Sequence, residues 1–80
     1  MKSEIFTAPN CGYCEAAKDV LKEQGIAFVE RDVSVEQNLV EFRERLPRVN
    51  SLPQIFIDGE HIGGYEDLKL RAETGNSRAT

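Results

Sequence analysis

The chain has 80 residues, which is enough for one domain with a single hydrophobic core and too few for two. Apolar residues make up 40% of it, an ordinary share for a globular protein, and none of their runs approaches the roughly 18 residues that span a membrane. A formal net charge of −4 argues against nucleic acid as the main partner. The first residues lack a charged segment followed by a long apolar one, so we expect no secretory signal and a cytoplasmic protein.

The first part of the chain predicts a strand, a helix and a second strand. Residues Glu4–Thr7 are short, partly β-branched and aromatic, as a buried strand is. Apolar residues at helical spacing predict a helix over residues 12–24, and Gly25 stands where a helix commonly ends. Residues 26–33 are again rich in β-forming side chains and predict the second strand.

A second helix is predicted in the middle of the chain. Ser34 and Gln37 have the spacing of a capping box, in which the two side chains satisfy the first N–H groups of a helix. Apolar residues follow at helical spacing up to Leu46. The helix should end there, because Pro47 cannot continue it.

The last part of the chain predicts a hairpin and a third helix. Residues 53–57 predict a strand, Asp58-Gly59 a two-residue turn, and residues 60–62 a short returning strand. A helix is predicted over residues 65–73. Residues 74–80 are small and polar, and we expect them to fray.

The predicted order is therefore β-α-β-α-β-β-α within one domain spanning the chain. A right-handed crossover should make the first two strands parallel, and the hairpin adds an antiparallel pair. We expect an α/β fold with a four-stranded mixed sheet and helices packed on it.

The only two cysteines, Cys11 and Cys14, stand at the start of the first predicted helix, with Asn10 or Cys11 as its N-cap. Residues i and i+3 lie on one face of a helix, so the two sulfurs can form a disulfide. The helix start offers free N–H groups and a positive dipole end, which favour a thiolate. This spacing indicates reversible thiol–disulfide chemistry.

Three other interpretations of the pair remain open at this point. A structural disulfide closing so short a loop would contribute only about 2 kcal/mol. Half of a zinc site would need four ligands in all, and His61 is the sole further Cys or His in the sequence. The third interpretation is that two functionally unrelated cysteines stand close together in the sequence by chance.

The chain resembles glutaredoxins over residues 5–70. The resemblance rests on these segments: Phe6-Thr7, Cys11-x-Tyr13-Cys14, Ser51-Leu52-Pro53-Gln54-Ile55-Phe56-Ile57-Asp58-Gly59 and His61-Ile62-Gly63-Gly64-Tyr65-Glu66-Asp67-Leu68. It implies a thioredoxin-like fold with a cis Leu52–Pro53 bond. It also implies a glutathione-dependent oxidoreductase that reduces protein disulfides and glutathione mixed disulfides.

Within that resemblance we expect Cys11, nearer the loop, to be the nucleophile and Cys14, one turn into the helix, to resolve the mixed disulfide. We expect His61 to belong to the hairpin without catalytic work. The residues expected to bind glutathione come from the motif, the exit of the second helix, the proline junction and the start of the third helix: Tyr13, Arg45, Arg48, Leu52, Pro53, Gly64, Tyr65, Glu66 and Asp67.

The chain departs from the family at two positions. Gly12 replaces the usual proline of the motif, and Ala8 stands where many members carry a lysine that helps to hold glutathione. Members without the proline include dimers that hold a [2Fe–2S] cluster through glutathione, so a cluster-binding sensor or carrier is one alternative. A redoxin reduced by thioredoxin reductase is another. We expect a monomer, with ribonucleotide reductase among its plausible partners.

Overall fold

The computed structural model describes the backbone of residues 3–79 and the side chains of residues 3–73. The elements follow the predicted order: β1 Glu4–Thr7, α1 Gly12–Glu23, β2 Val29–Asp32, α2 Glu36–Arg45, β3 Gln54–Ile57, β4 Glu60–Gly63 and α3 Tyr65–Ala79. The sheet has the strand order β2-β1-β3-β4. β1 and β2 are parallel, and the other two pairs are antiparallel. The predicted mixed sheet is confirmed.

The core lies on both faces of the sheet, because neighbouring residues of a strand point to opposite sides. One cluster joins β1 and β3 to α1 and α3: Ile5, Ala17, Leu21, Ile55, Ile57 and Leu68. The other joins the same two strands to α2 and the turn after it: Phe6, Phe42, Leu46 and Phe56. The protein therefore has three layers, with α1 and α3 on one face of the sheet and α2 on the other.

The second strand begins later than predicted, because the first residues of the predicted strand take part in ending α1. Gly25, with φ of 71°, donates its N–H to the Lys22 carbonyl at 3.0 Å, and Ile26 donates to the Leu21 carbonyl at 2.9 Å. These two bonds form a Schellman motif, which caps the last carbonyl groups of a helix. Ile26 thus closes the helix and packs on the first cluster, and pairing begins only at Val29.

The predicted capping box of α2 is wrong. The N-cap is Val35, which makes no side-chain cap, and the helix begins at Glu36. The Asp32 carboxylate instead accepts a hydrogen bond from the Ser34 N–H at 2.8 Å. Hydrogen bonds from the Ser34 backbone and side chain hold the pKa of the Asp32 carboxyl below its ordinary value. Asp32 thereby forms its own local turn, which competes with a helical cap at Ser34.

The hairpin and the last helix keep their predicted places with shifted ends. Asp58 and Gly59 both have positive φ, as the predicted two-residue turn requires. β4 extends to Gly63, and a register shift in its pairing with β3 leaves Ile62 as an extra residue. The third helix continues to Ala79 rather than ending near residue 73. The predicted fraying of residues 74–80 stays a prediction, because the side chains of these residues and the backbone of residue 80 lie outside the described part of the chain.

A buried carboxylate on β1 fastens α2 to the sheet. Glu4 is 5% exposed and accepts hydrogen bonds from Arg31 Nε at 2.6 Å and Arg45 Nη1 at 2.8 Å. Glu41 on α2 forms ion pairs with the same two arginines. The Arg45 guanidinium also lies 5.1 Å from the centroid of the Phe56 ring. One buried acid therefore holds cations from β2 and α2 over the second cluster.

This arrangement predicts a specific acid sensitivity. Burial raises the pKa of the Glu4 carboxyl, but the hydrogen bonds and charges of Arg45 and Arg31 outweigh burial and hold it below the ordinary 4.5. The stabilisation is therefore full above the pKa of the unfolded chain and is lost as pH falls through the lower folded value. We expect the free energy of unfolding to decline below about pH 4.5, measured by urea denaturation between pH 7 and pH 3.

Glu4→Gln should lower stability at pH 7 by about 1–3 kcal/mol and make the acid decline shallower, because the titrating group is gone. Glu44→Gln, at an exposed position of α2, is the matched control and should keep the wild-type profile. A Glu4→Gln profile parallel to that of the wild type would contradict this role for Glu4.

Candidate active site around the cysteine pair

The cysteine pair lies at the junction of β1 and α1. A disulfide joins Cys11 to Cys14, whose Cα atoms are 5.2 Å apart. Cys11 is the N-cap of α1, with extended backbone angles, and its Sγ accepts a hydrogen bond from the Cys14 N–H at 3.2 Å. Cys14 is 1% exposed, whereas Cys11 is only half-buried. The sulfur that caps the helix is thus also the more accessible one.

Side chains around the end of β1 fix the approach to this junction. Buried Thr7 donates through its hydroxyl to Glu30 Oε2 at 2.8 Å. Lys18 on α1 bonds both carboxylate oxygens of Glu30 at 3.2 Å and pairs with Glu15 at 2.8 Å. Asn10, with φ of 58°, turns the chain into the helix but does not cap it. β1, β2 and α1 are therefore tied together directly beside the cysteines.

An open groove of about 640 Å³ extends from Tyr13, between the cysteines, to the hairpin and α3. It is lined by Tyr13, Arg48, Val49, Asn50, Ser51, Leu52, Pro53, Gln54, His61, Gly63, Gly64, Tyr65, Glu66 and Asp67. Every residue predicted to bind glutathione lies in this lining except Arg45. The groove has the size of a small-molecule site.

The two arginines predicted to bind a carboxylate lie in different places. Arg48 is exposed and lines the groove. Arg45 instead pairs with Glu4 and Glu41 on the α2 face of the sheet. The sequence placed both arginines near the proline loop because they are close along the chain. The buried partner of Arg45 lies 41 residues away and could not be seen from spacing.

The loop before β3 presents unpaired backbone groups of Leu52 to the groove. The Leu52–Pro53 bond is cis, which confirms the expectation from the family resemblance. Within the described residues, neither the N–H nor the C=O of Leu52 forms a hydrogen bond. Both groups are therefore available to pair with an extended peptide, as a strand would.

The start of α3 forms the opposite wall of the groove. The Gly64 N–H donates to Asp67 Oδ2 at 3.1 Å, so Asp67 closes the first turn. Gly63 has φ of 123°, and a Cβ there would lie 2.8 Å from Asp67 Cγ, so the position requires glycine. The N–H groups of Tyr65 and Glu66 have no partner in the part of the chain that the structure describes. A carboxylate is the natural ligand for such groups.

Several lining residues were not expected from the sequence. Val49, Asn50, Ser51 and Gln54 were not named as site residues, and His61 was expected only to belong to the hairpin. His61 Nε2 lies 2.8 Å from Gln54 Oε1. Gln54 directly follows Pro53 on β3, and His61 stands on β4, beyond the two-residue turn. The pairing of these two strands is the signal that would have found both residues.

Two features are absent from the described residues. No group of three or more His, Cys, Asp or Glu side chains among them is able to hold a metal ion. In the described range, no helix combines the length and apolar character needed to cross a membrane.

Known proteins are similar to this chain in both sequence and fold. The family model described as glutaredoxin matches residues 4–62. Glutaredoxin 3 of Escherichia coli strain K12 is 40% identical over 67 residues, covering 81% of this chain and 78% of that protein. The crystal structure of Glutaredoxin 1 from Francisella tularensis, complexed with cacodylate, has a TM-score of 0.76 at 34% identity, covering 95% of this chain and 96% of that one. The solution structure of a glutaredoxin from Brucella melitensis has a TM-score of 0.76 at 36% identity, covering 99% and 86%.

The unusual glycine of the motif gives a stability prediction. Gly12 is the first residue of α1, a Cβ there would meet no atom within 4 Å, and Cys11 before it is extended. All three features suit proline. We expect Gly12→Pro to raise the free energy of unfolding of the oxidised protein by about 0.4–1 kcal/mol, because the unfolded chain loses freedom.

The matched control is Gly25→Ala, which also meets no atom within 4 Å but has φ of 71°. It should lower stability by about 1 kcal/mol, since only glycine adopts this backbone at no cost. Thermal unfolding of both variants measures the difference. A destabilised Gly12→Pro protein would contradict the described helix start.

Proposed function

The chain belongs to the glutaredoxin family and is a thiol–disulfide oxidoreductase, and on that premise we propose that its reductant is glutathione. The observation that carries the proposal is the groove beside the cysteine pair. It combines the unpaired N–H and C=O of Leu52, an exposed cation at Arg48 and the unpaired N–H groups that begin α3. These groups suit the peptide backbone and two carboxylates of a γ-glutamyl tripeptide.

We assign the first step to Cys11, because its sulfur is the more accessible of the two. Once the disulfide is reduced, the Cys14 N–H and the start of α1 stabilise a negative charge on the Cys11 sulfur. The thiolate attacks the glutathione sulfur of a mixed disulfide. A Cys11–glutathione disulfide forms, and the target cysteine leaves as a thiolate that takes up a proton.

Two routes then restore the reduced pair. In the first, the thiolate of a second glutathione attacks the sulfur of the bound glutathione, releasing glutathione disulfide and the Cys11 thiolate. In the second, which serves protein disulfides, the Cys11 thiolate attacks one sulfur of the target disulfide and releases the other as a thiolate. Cys14 then attacks Cys11 Sγ and expels the remaining target sulfur as a thiolate. The resulting Cys11–Cys14 disulfide is reduced by two glutathione molecules. The 5.2 Å between the Cα atoms permits this closure.

Each end of glutathione has a candidate partner in the groove. Leu52 pairs with the backbone around the reacting cysteine, as an added strand would. Arg48 faces the glycyl carboxylate, and the N–H groups of Tyr65 and Glu66 take the γ-glutamyl carboxylate. The Glu66 side chain is better placed for the ammonium group than Asp67, which already accepts the Gly64 N–H.

Such a cycle requires a reducing compartment, so we propose that the protein acts in the cytoplasm as a monomer. Disulfide-containing and glutathionylated proteins are its proposed substrates, with ribonucleotide reductase one plausible target. The direct test couples disulfide reduction to NADPH oxidation, through glutathione and glutathione reductase in one assay and thioredoxin reductase in another. Turnover with thioredoxin reductase alone would overturn the proposal.

The two cysteines should separate by substrate. We expect Cys11→Ser to abolish reduction of both substrate classes, because no nucleophile remains. Cys14→Ser should keep deglutathionylation of a glutathionylated peptide and lose reduction of a protein disulfide, because only the second needs a resolving thiol. Steady-state rates on the two substrates measure this. Full activity in Cys11→Ser would reverse the assignment.

The groove cation should matter for glutathione alone. We expect Arg48→Ala to raise the KM for glutathione about threefold to tenfold, because a charge-assisted hydrogen bond to a carboxylate is lost. Arg43→Ala removes another exposed charge of the same region that does not line the groove, and should leave KM unchanged. Equal effects of the two variants would show that general charge, not a contact, is responsible.

A further inference from the structure

Three side chains connect the hairpin to the substrate-facing loop, and we call Ser51, Gln54 and His61 the loop brace. His61 Nε2 lies 2.8 Å from Gln54 Oε1. Gln54 Nε2 donates to the Ser51 carbonyl at 3.1 Å and lies 3.3 Å from the Ser51 hydroxyl. Gln54 is only 5% exposed, so its amide groups depend on these partners.

The direction of each hydrogen bond in the brace follows from the chemistry of its ends. A backbone carbonyl only accepts, so the amide nitrogen of Gln54 must face Ser51 and the amide oxygen must face His61. His61 Nε2 therefore carries the proton and donates it. Any side chain that replaces His61 in this role has to offer a donor at the same point.

The hairpin holds the imidazole where the donor is needed. His61 is the cross-strand partner of Phe56, and the two ring centroids lie 5.0 Å apart with planes inclined by 32°. Gln54 and Phe56 are alternate residues of β3, so their side chains share one face. His61 thus rests on Phe56 and reaches Gln54 beside it.

The brace acts on the groove through one peptide unit. The Ser51 carbonyl and the Leu52 N–H belong to the same planar trans peptide, in which the two groups point in opposite directions. When Gln54 holds the Ser51 oxygen, the Leu52 N–H is turned the other way. That N–H is the unpaired group which the proposed function offers to substrate.

We propose that His61 is a positioning residue: acting through Gln54, it orients the Leu52 N–H toward the bound glutathionyl or peptide backbone. This inference rests on the proposed function and deepens it. His61 touches neither the cysteines nor the reacting sulfurs in this role. It sets affinity for the disulfide substrate and leaves the reactivity of the Cys11 thiolate unchanged.

The test compares two replacements of His61. His61→Phe keeps an aromatic ring over Phe56 and removes the donor; His61→Gln restores an amide donor of similar reach. We expect the KM for a glutathionylated peptide to rise about fivefold in His61→Phe and to return within about twofold of wild type in His61→Gln. In both variants, kcat and the rate of Cys11 alkylation by iodoacetamide should stay at the wild-type level. Glu60→Gln, on the same strand and outside the groove lining, is the control.

A second readout does not depend on glutathione. The Leu52 amide resonance in a ¹⁵N–¹H spectrum should shift in His61→Phe and return toward its wild-type position in His61→Gln. Thermal unfolding of each variant shows whether the fold is kept. If wild type itself lacked glutathione activity, the proposed function would fall, while the amide resonance would still report on the brace.

Three results would overturn the inference: a wild-type KM in His61→Phe, a loss confined to kcat or to alkylation rate, or an unshifted Leu52 resonance. Failure of His61→Gln to recover KM, with stability intact, would equally show that the donor is not what matters. Gln54→Glu provides a further check, because it accepts from His61 but does not donate to Ser51. It should raise KM as His61→Phe does, and a wild-type KM in this variant would count against the brace.

Discussion

The hydrogen bond from the Cys14 N–H to Cys11 Sγ is the interaction on which the site depends. The first N–H groups of any helix need an acceptor, and a Ser, Thr, Asp or Asn oxygen usually supplies it. Here a sulfur does so, held at the N-cap by the turn at Asn10. One contact therefore starts the helix and places the sulfur at the positive end of the helix dipole. Local structure and proposed reactivity have the same physical cause.

The sheet brings the remaining parts of the site to this sulfur. β1 is central, and β3 pairs with it in the opposite direction, so the end of β1 and the start of β3 share one edge of the sheet. β4 reverses direction again, and its end reaches the same edge. The cysteine loop, the proline loop and the start of α3 are distant in sequence. They meet because strand direction alternates in this way.

Much of this arrangement could be predicted from local signals, and the differences came from competing partners, one of them two residues away and one far along the chain. The turn at Asp58 and the helix end at Gly25 follow from short motifs. Each motif requires a backbone conformation that only a few residue types adopt. Ser34 failed as a cap because Asp32, two residues earlier, forms a competing hydrogen bond. Arg45 was predicted in the groove because it lies close to the proline loop along the chain, whereas its buried partner on β1, 41 residues away, could not be seen from spacing.

Two of the arginines serve the fold rather than the groove. Arg31 and Arg45 neutralise the buried Glu4, so they hold α2 in place and are not free for a ligand. Among the described residues that line the groove, Arg48 is the sole Lys or Arg. In the proposed function, recognition then falls on the N–H and C=O of Leu52 and on the N–H groups at the start of α3, which contact a peptide backbone whatever its side chains. A site of this kind suits an enzyme whose substrates have in common only glutathione or an extended strand. Because such a site depends on the orientation of backbone groups, the fold has to fix the conformation of the loop before β3.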